Sequence, residues 1–324
     1  MKKERNIFSA LFLRIYFCCL CLILFTADCS FLNPDSRYIS KVSDEGIMGV
    51  FDTIVTDSLI FCDYQSYILQ LYSCNKETPL TLEREVEGEG DFSSMTYDGR
   101  HLAAFAESTI IIYNPLSLAR VCEEHVNFEY GSIEIKDTLL YLIPLYDDNG
   151  YIYIYTVDFL LQDITLIDSF PEFDTHDLSR GEEIWFLSKY DSLYFCRADS
   201  AGFLEKIAGV PTEYSTIGIN CDTLFVAVYT DKIVKLYLEN RELKSDTIVL
   251  DLQSIGMEGE YMKCLYSEGG YFYCIFEINY NGRLFAYSRA EKKFVSWIED
   301  PSVWKCGIND NFIYANNGIY LKPQ

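Results

Sequence analysis

From about residue 50 onward, short apolar runs alternate with polar breaks, and no long stretch spaces its apolar residues three and four apart as a helix would. One run recurs seven times: Leu69-Gln70-Leu71-Tyr72, Ile110-Ile111-Ile112-Tyr113, Ile152-Tyr153-Ile154-Tyr155, Leu193-Tyr194-Phe195-Cys196, Val234-Lys235-Leu236-Tyr237, Leu284-Phe285-Ala286-Tyr287 and Ile319-Tyr320-Leu321-Lys322. The last residues of successive copies lie 41, 42, 41, 41, 50 and 35 positions apart. A second apolar run precedes each copy, joined to it by hairpin signals such as Asp148-Asn149-Gly150, Asn281-Gly282 and Asn317-Gly318. Before that run stands a polar turn, as at Asp57-Ser58, Asp98-Gly99, Asp137-Thr138, Asp222-Thr223 and Asp310-Asn311, and before the turn a further strand. An outer strand follows the recurring run, as at residues 80–86, 164–170 and 294–299. Each unit therefore predicts four antiparallel strands, a to d, and an all-strand repeat of about 40–45 residues is the period of a β-propeller blade.

The seventh unit stops after its strand c, while residues 37–43 precede the first strand a and have no unit of their own. A ring of sheets must close or leave an edge exposed, so residues 37–43 are expected to supply the missing outer strand of the last blade. The expected fold is an all-β propeller over residues 37–324. Seven blades are the direct count, and six would follow if one unit were not a blade.

A second pattern marks the start of each strand a. An aromatic stands there in all seven units: Phe51, Phe92, Tyr130, Phe173, Tyr214, Tyr261 and Trp304. In five units a carboxylate precedes it, namely Asp91, Glu129, Glu172, Glu213 and Glu260. The aromatics are expected to wedge between converging blades. The carboxylates are candidates for a partial ring around one channel mouth that binds a cation or a basic ligand. The competing expectation is structural: each acid caps a loop amide or forms a local pair, and a repeat copies its scaffold residues in any case.

Composition adds a large core, with 49% apolar and 16% aromatic residues, and a formal net charge of −23. Such a charge repels phosphate backbones and anionic lipid, which argues against nucleic acid as a partner. The N-terminus carries Lys2, Lys3 and Arg5, then an apolar tract interrupted by Arg14 and ending in Phe25-Thr26-Ala27-Asp28-Cys29. This is the order of a secretory signal. Residues 1–28 are expected to be a signal peptide or lipoprotein signal, and residues 29–36 a short tether. Cys29 is the candidate lipidation site, although Asp28 stands where a lipoprotein signal places a small residue. Cleavage after Ala27 and an uncleaved anchor are the alternatives. In each case the body is expected outside the cytoplasm, in the periplasm or at the cell surface, touching membrane only through an N-terminal lipid or anchor.

Twelve cysteines occur, but those beyond Cys29 include no CxxC pair, and several stand in strand-like runs where an apolar residue would serve. Buried thiols are expected, with room for one or two disulfides. Histidine is limited to His101, His125 and His176, and the last falls at an apolar place in strand a, as a packed side chain would. No zinc-ligand spacing is present, Asp174-Thr175-His176-Asp177 can be read as a dyad or a metal-ligand set against the packed reading of His176, and the acidic turn Asp147-Asp148-Asn149-Gly150 is too short for a calcium loop.

The repeat and the export signal together resemble the secreted bacterial β-propeller proteins and propeller lipoproteins of unassigned function, over about residues 37–324. The Trp-Asp dipeptide of the best-known propeller repeat and the sialidase Ser-x-Asp-x-Gly-x-Thr-Trp box are both absent, so no family active site carries over. Gly-x-Ser-x-Gly and phosphate-cradling glycine loops are absent too. The leading expectation is a non-catalytic, extracytoplasmic binding propeller that needs no cofactor, its partner a protein, a glycan or a cationic ligand. One alternative is a carbohydrate-active enzyme with facing carboxylates in the channel, because paired acids leave no local signature. The other is a structural or sensory subunit of an envelope complex.

Overall fold

The computed structural model describes residues 41–43, 49–64, 67–88, 90–144, 150–171, 175–189, 192–211, 217–228, 231–240, 242–278, 281–298, 303 and 306–323. A short strand, β1 (Lys41–Ser43), comes first. Blade 1 is β2 (Gly49–Val55), β3 (Leu59–Tyr64), β4 (Ile68–Ser73) and β5 (Thr81–Glu87). Blade 2 is β6 (Phe92–Tyr97), β7 (Leu102–Ala106), β8 (Thr109–Tyr113) and β9 (Arg120–His125). Blade 3 is β10 (Gly131–Lys136), β11 (Leu139–Pro144), β12 (Tyr151–Asp158) and β13 (Asp163–Pro171). Blade 4 is β14 (Thr175–Arg180), β15 (Trp185–Lys189), β16 (Ser192–Ala198) and β17 (Leu204–Pro211). Blade 5 is β18 (Ile217–Asn220), β19 (Thr223–Val228), β20 (Lys232–Glu239) and β21 (Glu242–Val249). Blade 6 is β22 (Tyr261–Glu268), β23 (Tyr271–Ile278), β24 (Asn281–Ser288) and β25 (Lys293–Trp297). Blade 7 is β26 (Cys306–Ile308), β27 (Phe312–Ala315) and β28 (Gly318–Leu321), and β1 completes it as the fourth strand.

The molecule is a seven-bladed propeller closed by its first strand. Lys41 stands opposite Tyr320 and Ser43 opposite Ile319, with the Lys41 ammonium 5.7 Å from the centroid of the Tyr320 ring. Gly318 makes this approach feasible. Its φ is +152°, and a Cβ there would run into the Lys41 side chain and the Ser43 carbonyl.

The core is divided rather than central. Seven apolar clusters lie among the described residues, and each joins two neighbouring blades. Phe61, Leu69 and Leu71 of blade 1 meet Phe92, Met95 and Leu102 of blade 2, for example. Ile60, Cys62 and Cys74 of blade 1 meet Phe312, Tyr314 and Ile319 of blade 7, which carries the packing across the closure. Alternation along each strand explains this, because successive side chains point to opposite faces of a sheet and every blade has a neighbour on both faces. Strands b and c accordingly read as nearly continuous apolar runs, and β7 and β8 are buried along their whole length.

The last residue of the recurring run has a structural role that its identity alone does not reveal. In blades 1, 2, 3, 4 and 6 the pairing of strands c and d shifts at Tyr72, Tyr113, Tyr155, Cys196 and Tyr287. A bulge at this place sharpens the local twist and turns the outer strand relative to the inner three.

Candidate functional site

Antiparallel order fixes which loops share a face. The a–b and c–d turns lie at one end of the propeller, and the b–c turns and d–a connections lie at the other. The two ends use their polar groups differently.

At the a–b end, side chains stitch blade to blade. Asp98 Oδ1 accepts the amides of Arg100 and His101 at 2.8 Å within its own turn, while Oδ2 accepts the Asp137 amide of blade 3 at 2.9 Å. Lys136 Nζ donates to the Glu182 carbonyl of blade 4 at 2.6 Å. Asp222 of blade 5 accepts the Glu183 and Ile184 amides of blade 4 at 2.8 and 2.9 Å. Asn220 Nδ2 donates to the Ser267 carbonyl of blade 6 at 2.8 Å. Lys322 Nζ, at the C-terminal end of blade 7, donates to the Asn309 carbonyl at 2.9 Å and lies 3.7 Å from Glu268 of blade 6. Asn309 Nδ2 reaches the Thr56 carbonyl of blade 1 at 3.4 Å. The Asp98 carboxylate sits below the usual range: burial pushes its pKa up, but the His101 and Arg100 amides and the His101 ring together outweigh it. Reading Asp and Asn here as turn formers accounts for half of their role. The other half, reaching the next blade, was signalled only by their recurrence at one place in the unit.

The opposite end carries the candidate carboxylates. Asp91 is exposed and directly precedes β6, and Glu129 is exposed two residues before β10. Glu260 is half-buried directly before β22, its amide donating to the Met257 carbonyl at 3.2 Å. None of these three side chains makes a hydrogen bond or ion pair among the described residues. Glu172, Glu213 and Cys29 lie outside the described residues, as does the side chain of His176.

The aromatic pattern at strand a divides in a way the sequence did not anticipate. Phe92 is 1% exposed and packs in the cluster between blades 1 and 2, but Tyr130 is 50% exposed and Tyr261 is 58% exposed. The register explains the difference in blade 6. Phe92 pairs with Ala106 and Met262 with Phe276, each followed by a bulge before pairing resumes at Ser94 and Cys264. The buried place in blade 6 thus belongs to Met262, and Tyr261 with Glu260 stands one residue further out than Phe92 with Asp91.

Also at this end, the connection from β21 to β22 forms a compact loop. Leu250, Leu252 and Met257 are buried pegs, and Gly256 and Gly259, at φ +68° and +81°, turn the chain between them. Ser254 and Ile255 of this loop face Arg283, Phe285 and Trp297 across a cleft of about 250 Å³. Arg283 is exposed and makes no hydrogen bond or ion pair among the described residues. Among the described residues no group of three or more His, Cys, Asp or Glu could hold a metal ion.

At the c–d turns of blades 2 and 3, on the stitched end, three leucines face solvent: Leu116 at 68%, Leu160 at 95% and Leu161 at 77% exposure. They are held there. Asn114 Oδ1 accepts the Leu116 amide at 3.1 Å, and Asp158 Oδ1 accepts the Leu160 and Leu161 amides at 2.9 and 3.0 Å.

Solved structures share this architecture. The fold is that of other β-propellers. The Swd1 β-propeller domain of Myceliophteria thermophila aligns over 88% of this chain and 98% of its own, at 11% identity and a TM-score of 0.64. A chain of the mitotic checkpoint complex aligns over 89% of this chain and 95% of its own, at 9% identity and a TM-score of 0.60. BamB of Moraxella catarrhalis aligns over 87% of this chain and 88% of its own, at 10% identity and a TM-score of 0.52. At such identities the likeness is one of fold. No family model and no curated protein sequence matches the chain.

Proposed function

We propose that this propeller is a non-catalytic binding scaffold, exported from the cytoplasm, that takes a cationic group at the end of the ring where the strands a begin. The observation that carries the reading is the contrast between the two ends. Side chains at the a–b end are engaged in joining blades, whereas Asp91, Glu129 and Glu260 at the other end have no partner among the described residues. A carboxylate without an internal partner is free to meet an external cation, and several around one opening add their fields. Propellers with this fold commonly act as interaction scaffolds, and one of similar fold is a chain of the mitotic checkpoint complex.

Titration of calcium and of a lysine-rich peptide against the wild-type protein and the Asp91→Asn/Glu129→Gln/Glu260→Gln variant tests the reading. The wild type should bind at least one probe and the variant at least tenfold more weakly, with the difference shrinking as salt is added. The double substitution Glu172→Gln/Glu213→Gln asks whether the remaining two acids join the same site. Equal affinity of all three proteins for both probes would return the acids to an ordinary solubilising role.

A second reading, a subunit of a larger protein assembly, is favoured by the leucines held outward at the turns of blades 2 and 3. Exposed apolar side chains mark contact surfaces where they gather into one patch, and Leu160 and Leu161 are adjacent. If the reading holds, Leu160→Asp/Leu161→Asp should shift the native protein in a gentle cell extract from a large species to the monomer on gel filtration. A monomer in both cases argues against it.

A further inference from the structure

We propose that Cys264 and Cys306 are the site of an intramolecular disulfide that joins the innermost strands of blades 6 and 7. The two residues belong to one apolar cluster between these blades, Cys306 as a buried member and Cys264 packed against it. The equivalent position in blade 2 shows where a side chain at this place is directed. Cys264 stands in β22 where Ser94 stands in β6, each being the first residue to pair after the bulge. Ser94 Oγ lies 3.3 Å from the Ile133 amide of the following blade, so a side chain at this place touches the backbone of the neighbouring strand a. At the 6–7 interface the amide at the corresponding place, that of Cys306, donates to the Tyr266 hydroxyl, two residues along β22 from Cys264, at 3.5 Å. The same hydroxyl hydrogen-bonds both thiols, so one oxygen atom connects the two sulfurs.

The chemistry needs an oxidant, and a small disulfide such as oxidised glutathione suffices. Cys264 is the more accessible of the two and attacks first: its thiolate forms a bond to one glutathione sulfur and expels the other as thiolate. Cys306, after losing its proton, then attacks the Cys264 sulfur and releases the second glutathione. Two protein thiols become one disulfide, and one glutathione disulfide becomes two thiols. Burial pushes the Cys306 thiol well above its usual pKa, which makes the second step the slow one.

The placement gives the bond a role. Blade 7 is held on its outer edge by β1, through only Lys41 and Ser43 among the described residues. Its inner strand β26 is three residues long. A covalent bond from β26 to blade 6 ties the closing blade to the ring on the side away from its junction with blade 1.

The test treats the folded protein with oxidised glutathione, blocks remaining thiols with N-ethylmaleimide, and maps the digested peptides. A peptide containing Cys264 linked to one containing Cys306 is the expected product. The oxidised protein should melt about 5 °C above the reduced one, the scale expected for a disulfide in a domain of this size. Cys264→Ser places in blade 6 the residue that blade 2 already carries there, so it should fold and lose the oxidant-dependent shift. Alkylation of both cysteines after oxidation, or linkage of either to a different cysteine such as the exposed Cys221, would overturn the proposal.

Discussion

At the scale of single residues, neighbouring positions of the repeat differ sharply in consequence. Phe92 is sealed between two blades, while Tyr130 and Tyr261, which occupy its place in the written repeat, stand half in solvent. Phe92→Ala should therefore cost about 3–5 kcal/mol, as removal of a buried phenylalanine does. Tyr130→Ala, by contrast, should change stability by about 0.5 kcal/mol or less. Chemical denaturation of the two variants measures both, and equal losses would show that the exposed tyrosines also pack. Asp98 gives a pH-dependent counterpart. Its carboxylate is 3% exposed, and its folded pKa lies below the ordinary value. The stability it contributes is thus fully present above the unfolded pKa of about 4 and is lost as pH falls through the lower folded value. Asp98→Asn should cost about 1–3 kcal/mol at neutral pH, the range for a charged group hydrogen-bonded to amides. It should also flatten the acid limb of a stability–pH curve, and an unchanged limb would place the acid sensitivity in other carboxylates.

At the scale of elements, the closure is where a small change should propagate furthest. Gly318 starts the last strand at a positive φ and leaves no room for a Cβ beside Lys41 and Ser43. Gly318→Val should lower stability by about 2 kcal/mol or more, through backbone strain and displacement of β1. Deleting residues 37–43 should cost several kcal/mol, since a paired strand is lost from a cooperative fold and the edge of blade 7 is exposed. Thermal or urea unfolding reads both, and a deletion that melts like the wild type would show β1 to be dispensable. The closing strand was legible in the sequence because a unit short of one strand and a strand short of a unit lay at opposite ends of a repeat. The outer-strand bulges were not legible, because a bulge adds one residue to a strand without changing its apolar character.

At the scale of the whole molecule, each of the seven interfaces carries its own apolar cluster, and six of them add a polar stitch at the a–b end. The ring should therefore unfold in one transition, with calorimetric and van't Hoff enthalpies in agreement. The proposed export belongs to this scale too. Intact-mass measurement on protein from its native source should find a mature chain beginning at Asp28 or at an acylated Cys29. A mass that still includes Met1 would refute cleavage. By itself the sequence determined the repeat period, the antiparallel order and the need for closure, because these follow from local alternation and turn chemistry repeated along the chain, while the choice between seven blades and six was made by the structure. Only the tertiary structure decided which member of each repeat is buried. A single inserted residue in β6 or β22 moves every following side chain to the other face, and neighbouring blades select the one that packs. The same is true of the functional end: charge along the chain named the carboxylates, but whether Asp91, Glu129 and Glu260 have partners depends on residues brought near by the ring.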